Sequence, residues 1–182
     1  VIEASSEDLQ RIKGIGPKNV FGIKFVHAVA KRYLKKKLHK KDPIRSSKEL
    51  FDYLYHSLRD KKREIFKAVF LDAQNRIIAI EVLFEGTLTA SSVYPREVIL
   101  AALRHHAAGV FLVHNHPSGE PRPSKEDKLV TRQLLHACRL VGITVHEHLI
   151  IGDNTYFSFA DHGHIAEMNR QYEENLRNTS RF

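Results

Sequence analysis

Cysteine is almost absent from this chain of 182 residues, which contains a single one, Cys138. One thiol cannot form an internal disulfide, so a disulfide-stabilised secreted fold is excluded and a reducing, cytoplasmic location is predicted. Cys138 falls in a predicted amphipathic helix, where we expect it to pack in the core rather than to act as a nucleophile.

Long hydrophobic runs are also missing. No stretch approaches the roughly 18 apolar residues of a membrane-spanning helix, so no membrane partner is predicted. The first residues lack a basic region followed by an apolar run, so we expect no signal peptide. Because the chain begins at Val1 rather than Met, a truncated N-terminal region is left open. The length suits one well-packed domain with a small appendage.

Acidic residues are scarce in the first third of the chain. Residues 1–63 contain 17 Lys and Arg against 7 Asp and Glu, whereas residues 64–182 contain 12 against 14. The formal net charge of +8 therefore comes from the N-terminal third alone. Such an asymmetry predicts a polyanionic partner for that part of the protein.

A short helix predicted over residues 7–12 and a long one over 18–38 flank the sequence Gly-Ile-Gly-Pro at 14–17. Glycine permits a tight turn, and Pro suits the first turn of a helix. The arrangement resembles a helix-hairpin-helix motif, whose hairpin N–H groups bind a DNA phosphate without reading sequence. The resemblance implies DNA contacts, with counterion release, at Gly14, Gly16, Lys18, Lys35, Lys36 and Lys37. An ordinary helical turn with a solvated basic face is the alternative.

From residue 64 onward the pattern alternates between strands and helices. We predict strands over 65–71, 76–84, 109–113, 143–151 and 155–159, a further strand over 87–93, and helices beginning near residues 94, 124 and 165. This order predicts the α/β (α+β) class, a mixed β-sheet flanked by helices. The predicted domains are a small all-α domain over 1–42, a linker and connecting helix over 43–63, and the sheet domain over 64–182 with a polar C-terminal helix.

One segment, residues 114–127, combines metal-type ligands, chain-breaking residues and a helix start. His114 and His116 are two apart on a predicted strand, so both rings face the same side of the sheet. Residues 124–127 read as a capping box, which places Asp127 in the first turn of the next helix, able to turn back toward the imidazoles. Two His and one carboxylate with an open position form the ligand set of a catalytic zinc ion.

Two other His-x-His pairs compete with this segment. His146 and His148 lie in a predicted strand, where both rings could share a face, and His162 and His164 lie in a turn. Neither pair is followed by a loop and a capped helix that presents a third ligand. We rank both pairs lower and leave His148 a role in lining the site from a neighbouring strand.

The pattern His-x-His-Pro, six residues and then Ser-x-x-Asp is similar to the motif of the JAMM (MPN+) metalloproteases. In this chain the motif reads Asn-His-Pro-Ser-Gly at 115–119, and Gly-Thr-Leu at 86–88 and Tyr-Pro-Arg-Glu at 94–97 precede it. This combination resembles the bacterial RadC family over residues 60–164. That family also carries a preceding helix-hairpin-helix. The resemblance implies a JAMM/MPN-like fold with cytidine-deaminase-like layering, and one zinc ion per chain held by His114, His116 and Asp127.

The resemblance also implies catalytic roles. Ser124 is expected to steady a tetrahedral intermediate, and a Glu from an earlier strand to take a proton from the metal-activated water. Glu64, at the start of the first core strand, fits that position. Glu85, at the end of the second strand, is the rival, and Glu81 is less favoured.

These features favour a zinc-dependent hydrolase of peptide or isopeptide bonds, whose peptide or protein substrate the sequence does not specify. An alternative from another class is a DNA-associated module in which the MPN-like part is a protein scaffold. A zinc-dependent nuclease is a third hypothesis, weakened because phosphodiester cleavage usually recruits paired metals. The RadC family carries the label of DNA repair, but this label does not specify a mechanism.

Overall fold

The computed structural model describes residues 4–38, 43–59, 61–86 and 93–179, without the side chains of residue 31 and residues 33–38. The chain divides into two compact units, Val1–Asp42 and Pro43–Phe182. Among the described residues, no helix combines the length and the apolar character needed to cross a membrane.

The first unit contains two helices, α1 (Ser6–Gln10) and α2 (Pro17–Leu38). The Ser5 side chain caps α1 by accepting a hydrogen bond from the backbone N–H of Asp8 at 3.0 Å. Between the helices, Gly14 adopts a φ of +91°, which favours glycine because it has no Cβ. The tight turn is therefore present, whereas the helix-hairpin-helix interpretation of this unit stays a prediction.

The second unit is a five-stranded mixed sheet flanked by helices. In chain order its elements are α3 (Ser47–Leu58), β1 (Glu64–Leu71), β2 (Ile77–Gly86), α4 (Pro95–Arg104), β3 (Gly109–Asn115), α5 (Lys125–Leu140), β4 (Thr144–Ile151), β5 (Tyr156–Ser158) and α6 (His164–Thr179). The predicted mixed α/β architecture is confirmed. The extra strand predicted over 87–93 falls on residues 87–92, which lie outside the described residues.

The strands are arranged in the order β2-β1-β3-β4-β5, so that β3 is the central strand. β3 and β4 are parallel, and the other neighbouring pairs are antiparallel. All seven residues of β3 are buried. A strand covered on both faces reads as a continuous apolar run, here Gly-Val-Phe-Leu-Val. This rigid central strand delivers His114 to the end of the sheet.

Helices cover both faces of the sheet. One core cluster joins the first face to α4, α5 and α6, and a second joins the other face to α3. Cys138 of α5 lies in the first cluster and is fully buried. Burial raises the pKa of this thiol to about 11, so it stays protonated and unreactive at neutral pH. The prediction of a core cysteine is confirmed.

Glu147 of β4 is a buried carboxylate that ties α3 to the sheet. It accepts hydrogen bonds from the hydroxyls of Ser47 (2.6 Å) and Ser158 (2.5 Å) and from the backbone N–H groups of His148 (2.8 Å) and Ala160 (3.0 Å). Burial raises the pKa of Glu147, although these four donors oppose the shift. A buried acceptor with this many donors is structural, because its loss would leave buried donors without a partner.

Replacing Glu147 with Ala should lower the free energy of unfolding by about 3 kcal/mol or more, since each orphaned buried donor costs roughly 1–3 kcal/mol. Chemical denaturation measures this change. The control is Glu174→Ala on the exposed surface of α6, which should shift stability by less than about 0.5 kcal/mol. Equal losses in the two variants would show that Glu147 does not hold α3 in place.

Candidate metal centre

The end of β3 places two histidines side by side. His114 is the penultimate residue of β3 and is fully buried. His116 follows one residue beyond the strand, and its backbone N–H donates to the carbonyl of Ile151 at 2.9 Å, which continues the pairing with β4. The two side chains therefore extend from the same face, with Nε2 atoms 3.0 Å apart.

Asp127 reaches the histidines from the first turn of α5. Ser124 is the N-cap of this helix, and its Oγ accepts from the backbone N–H of Asp127 at 3.0 Å. In return, Oδ2 of Asp127 accepts from the backbone N–H of Ser124 at 2.7 Å and from its hydroxyl at 2.6 Å. The predicted capping box is confirmed. It fixes the carboxylate in a position where Oδ1 faces His114.

The three side chains converge on one point. His114 Nε2 lies 3.1 Å from Asp127 Oδ1, and His116 Nε2 lies 3.4 Å from Asp127 Oδ2. A tetrahedral site with metal–ligand bonds of about 2.0–2.1 Å has edges of about 3.3 Å between ligand atoms. The observed separations are close to such edges, with each imidazole facing a different oxygen of the carboxylate, so these residues could hold a metal ion.

The proton on His116 is directed away from this point. Its Nδ1 lies 2.8 Å from the backbone carbonyl of Glu120, which can only accept, so Nδ1 carries the hydrogen and Nε2 presents a lone pair. The loop that carries Glu120 is packed on the β4–β5 turn. The N–H of Asp153 donates to the carbonyl of Gly119 at 2.8 Å, and any side chain at Gly152 would overlap that carbonyl.

The ligand charges suit a cation. Burial lowers the pKa of His114, although the charge of Asp127 opposes the shift. Burial acts in the same direction on His116, but the nearby carboxylate of Asp127 and the hydrogen bond to the Glu120 carbonyl outweigh it and raise the pKa. Burial would raise the pKa of Asp127, but the neighbouring imidazoles of His114 and His116 and the hydroxyl of Ser124 hold it well below its usual range. An ionised carboxylate beside a neutral imidazole is a combination that binds metal.

Glu64 lies on the same face of the sheet as this cluster. The antiparallel register of β1 and β3 pairs Phe66 with His114, and their rings stack with centroids 6.1 Å apart. Side chains two apart on a strand share a face, so Glu64 extends beside Phe66 toward the histidines. Asn115 secures the backbone on both sides of Glu64: its Oδ1 accepts from Ile65 N at 2.8 Å, and its Nδ2 donates to the Arg63 carbonyl at 3.1 Å.

The two rival carboxylates are placed differently. Glu85 is exposed and pairs with Ile65, which lies on the α3 face of the sheet, away from His114. Glu81 is engaged at the end of α4, where its carboxylate accepts from Arg104 at 2.9 Å and bonds His105 at 2.6 Å.

The competing histidine pairs do not form comparable sites. The expectation that His146 and His148 share a face is wrong, because the β3–β4 register shifts between Val110 and Phe111. As a result His148 contacts His114, whereas His146 packs against Phe111 on the α3 face. Within the described ranges, the cluster at 114, 116 and 127 is the one group of three or more His, Cys, Asp or Glu side chains that could hold a metal ion.

His148 lies beside the cluster, as the sequence allowed, but its partners and the contacts of Asn115 were missed at the sequence level. His148 bonds His114 through Nε2 at 2.8 Å and Thr131 through Nδ1 at 2.6 Å. Thr131 lies one helical turn after Asp127, on the same face of α5, and this spacing was the available signal. Asn115 was considered only as part of the motif. Its contacts with β1 depend on the pairing of strands that are distant in sequence, so the local pattern did not predict them.

The residues expected to contact DNA belong to the first unit. Gly14, Gly16 and Lys18 are at the α1–α2 turn, with Lys18 exposed. The side chains of Lys35, Lys36 and Lys37, in the last turns of α2, lie outside the described part of the structure. DNA contact by this unit stays a prediction.

Comparison with known proteins identifies the family of this chain. The family model described as RadC-like JAB domain matches residues 44–164, which include the three clustered residues and Glu64. A UPF0758 protein of Paracidovorax citrulli is 45% identical over 165 residues, which cover 91% of this chain and 70% of that protein. UPF0758 proteins of Vibrio campbellii (44% over 165 residues; 91% and 74% covered) and Trichlorobacter lovleyi (42% over 161 residues; 88% and 70% covered) are also similar. The chain therefore belongs to the RadC family, with a RadC-like JAB domain.

Proposed function

We propose that this protein is a zinc-dependent hydrolase of peptide or isopeptide bonds. The observation that carries the proposal is the convergence of ligand atoms from His114, His116 and Asp127 within 4.8 Å of one another. Membership of a JAB-domain family supports a metal-dependent hydrolase. Two imidazoles and one carboxylate are the donors that zinc uses in catalytic sites with an open fourth position.

When bound, zinc would lower the pKa of a coordinated water toward about 7 and polarise the scissile carbonyl. The protein residues then have to orient the reactants and move the proton. Glu64, on the same face as the cluster, is the proposed base that takes the water proton and returns it to the leaving amine. Asn115 holds the backbone on both sides of Glu64 and so limits the movement of that carboxylate.

Ser124 is the proposed donor to the developing negative charge. Its hydroxyl donates to Asp127 Oδ2 at 2.6 Å, directly beside the centre. A rotation about the Cβ–Oγ bond would redirect that hydrogen toward a tetrahedral intermediate, where a pre-positioned donor stabilises the oxyanion. The backbone N–H of Ser124 would still hold the carboxylate during this rotation, since it bonds the same oxygen at 2.7 Å.

Removal of a ligand should abolish stoichiometric zinc binding. We expect the wild-type protein to bind one zinc ion per chain, and His116→Ala to weaken binding by more than about 100-fold, beyond the 10–100-fold typical of outer-shell groups. Competition with a chromophoric chelator measures both affinities. His162→Ala, an exposed histidine of another His-x-His pair, is the control and should bind as wild type. Wild-type protein without zinc, or an unchanged His116→Ala affinity, would contradict the proposal.

Glu64→Gln should separate catalysis from metal binding. The amide keeps the shape of the side chain but cannot accept a proton, so turnover should fall by about 10²–10⁴-fold while the zinc content is retained. The assay uses a peptide or isopeptide substrate cleaved by the wild-type protein. The matched control is Glu85→Gln, which should retain both properties because Glu85 is on the other face of the sheet. The opposite ranking would assign the base to Glu85.

DNA binding by the first unit is a second candidate function, favoured by the 11 Lys and Arg against 4 Asp and Glu in residues 1–42. In this alternative the JAB-type unit acts as a scaffold. A nuclease is less favoured, because the described residues contain a single three-ligand cluster, whereas phosphodiester cleavage usually recruits paired metals.

Binding to a DNA duplex of arbitrary sequence should therefore depend on salt and not on zinc. If the protein contacts three phosphates, its affinity for DNA should fall roughly 40-fold as the salt concentration rises from about 50 to about 200 mM. This follows from a slope of about −0.9 per phosphate in a plot of log affinity against log salt concentration. Deleting residues 1–42 should abolish the binding, measured by fluorescence anisotropy. Full-strength binding by the shortened protein would exclude the first unit as the DNA site.

A further inference from the structure

His148 of β4 is a buried histidine that the proposed chemistry leaves without a role. It is 1% exposed, and its ring packs against those of Phe66 and Phe159, with centroid distances of 5.7 and 4.9 Å. Both ring nitrogens have partners, His114 Nδ1 at 2.8 Å and Thr131 Oγ1 at 2.6 Å. A polar ring in apolar surroundings requires such bonds, and their direction can be worked out from the donors.

Thr131 determines the first direction. Its Oγ1 lies 2.5 Å from the backbone carbonyl of Asp127, one turn earlier in α5. A carbonyl can only accept, so the single hydroxyl hydrogen of Thr131 points to it. Oγ1 must then accept from His148, whose Nδ1 carries a hydrogen.

The hydrogen bond between His148 and His114 then has a fixed direction. Packing against Phe66 and Phe159 disfavours a charged imidazole, so His148 carries one hydrogen, on Nδ1, and its Nε2 accepts. His114 must therefore donate from Nδ1. The lone pair of His114 is then on Nε2, the atom that faces His116 and Asp127 at 3.0 and 3.1 Å.

We propose that Thr131 and His148 form a hydrogen-bond relay that sets the tautomer of His114 and so presents its Nε2 to the metal. The relay starts at the main-chain carbonyl of Asp127, so the backbone of one ligand determines the proton position on another. His116 also carries its hydrogen on Nδ1, because that atom bonds the Glu120 carbonyl directly. Both relay residues are positioning residues, and their role rests on the proposed metal-dependent function.

A matched pair of substitutions at Thr131 tests the relay. Thr131→Val removes the hydroxyl and keeps the branched shape, which frees His148 to place its hydrogen on Nε2 and to reverse the bond to His114. Thr131→Ser keeps the hydroxyl. In the full chain, Thr131→Val should weaken zinc binding by about 10–100-fold, as for other outer-shell partners, whereas Thr131→Ser should stay within about threefold of wild type. His148→Phe, which removes the acceptor, should match Thr131→Val.

A second readout reports the tautomer itself. Nitrogen-15 NMR of the metal-free protein should show His114 protonated at Nδ1 in the wild type and in Thr131→Ser. In Thr131→Val the hydrogen should move toward Nε2. Loss of packing alone would not change this pattern, and thermal unfolding of each variant checks that it is folded.

Three results would overturn the relay. The first is wild-type zinc affinity in Thr131→Val, and the second is an equal loss in the Val and Ser variants, which would assign the effect to packing. The third is a wild-type His114 protonated at Nε2. Wild-type protein that binds no zinc would refute the proposed function instead, and the NMR pattern would still decide whether the relay exists.

Discussion

The arrangement of this site depends on the carboxylate of Asp127. The cap of α5 requires a side-chain acceptor in its first turn, and Asp127 meets that requirement with Oδ2. The same geometry directs Oδ1 to His114, at 3.1 Å. The start of a helix thus becomes part of a cluster that could hold a metal ion. Because α5 packs against the core through Val130, Leu134 and Leu135, the carboxylate is held by the fold rather than by a mobile loop.

The two histidines are also held by hydrogen bonds on the side of each ring that faces away from Asp127. His114 has His148, and His116 has the Glu120 carbonyl on a loop packed against Gly152. A buried polar network of this kind is stable only when each member has its partner, and it then rigidifies the site. The rings of Phe66 and Phe159 line the network on its inner side and exclude water. In such surroundings the attraction between a cation and Asp127 is stronger than in water.

Local chemistry explains why much of the site could be predicted. The two-residue spacing of His114 and His116 and the capping box at Asp127 depend on neighbours in sequence. Glu64 was favoured because the resemblance to the JAMM motif places the base at the start of the first core strand. Contacts between distant segments could not be read in this way. The register shift between β3 and β4, which puts His148 rather than His146 beside His114, is a property of paired strands. The order of strands in the sheet, with β1 beside β3, is likewise set by packing of the whole unit.

The central claim is that His114, His116 and Asp127 hold one metal ion through Nε2, Nε2 and a carboxylate oxygen. Anomalous X-ray diffraction at the zinc edge, from crystals grown with equimolar zinc, tests it most directly. The account predicts a single peak about 2.0–2.2 Å from these three atoms, with both Nδ1 atoms still bonded to His148 and to the Glu120 carbonyl. A peak at another site, coordination through Nδ1, or no peak between these residues would contradict it.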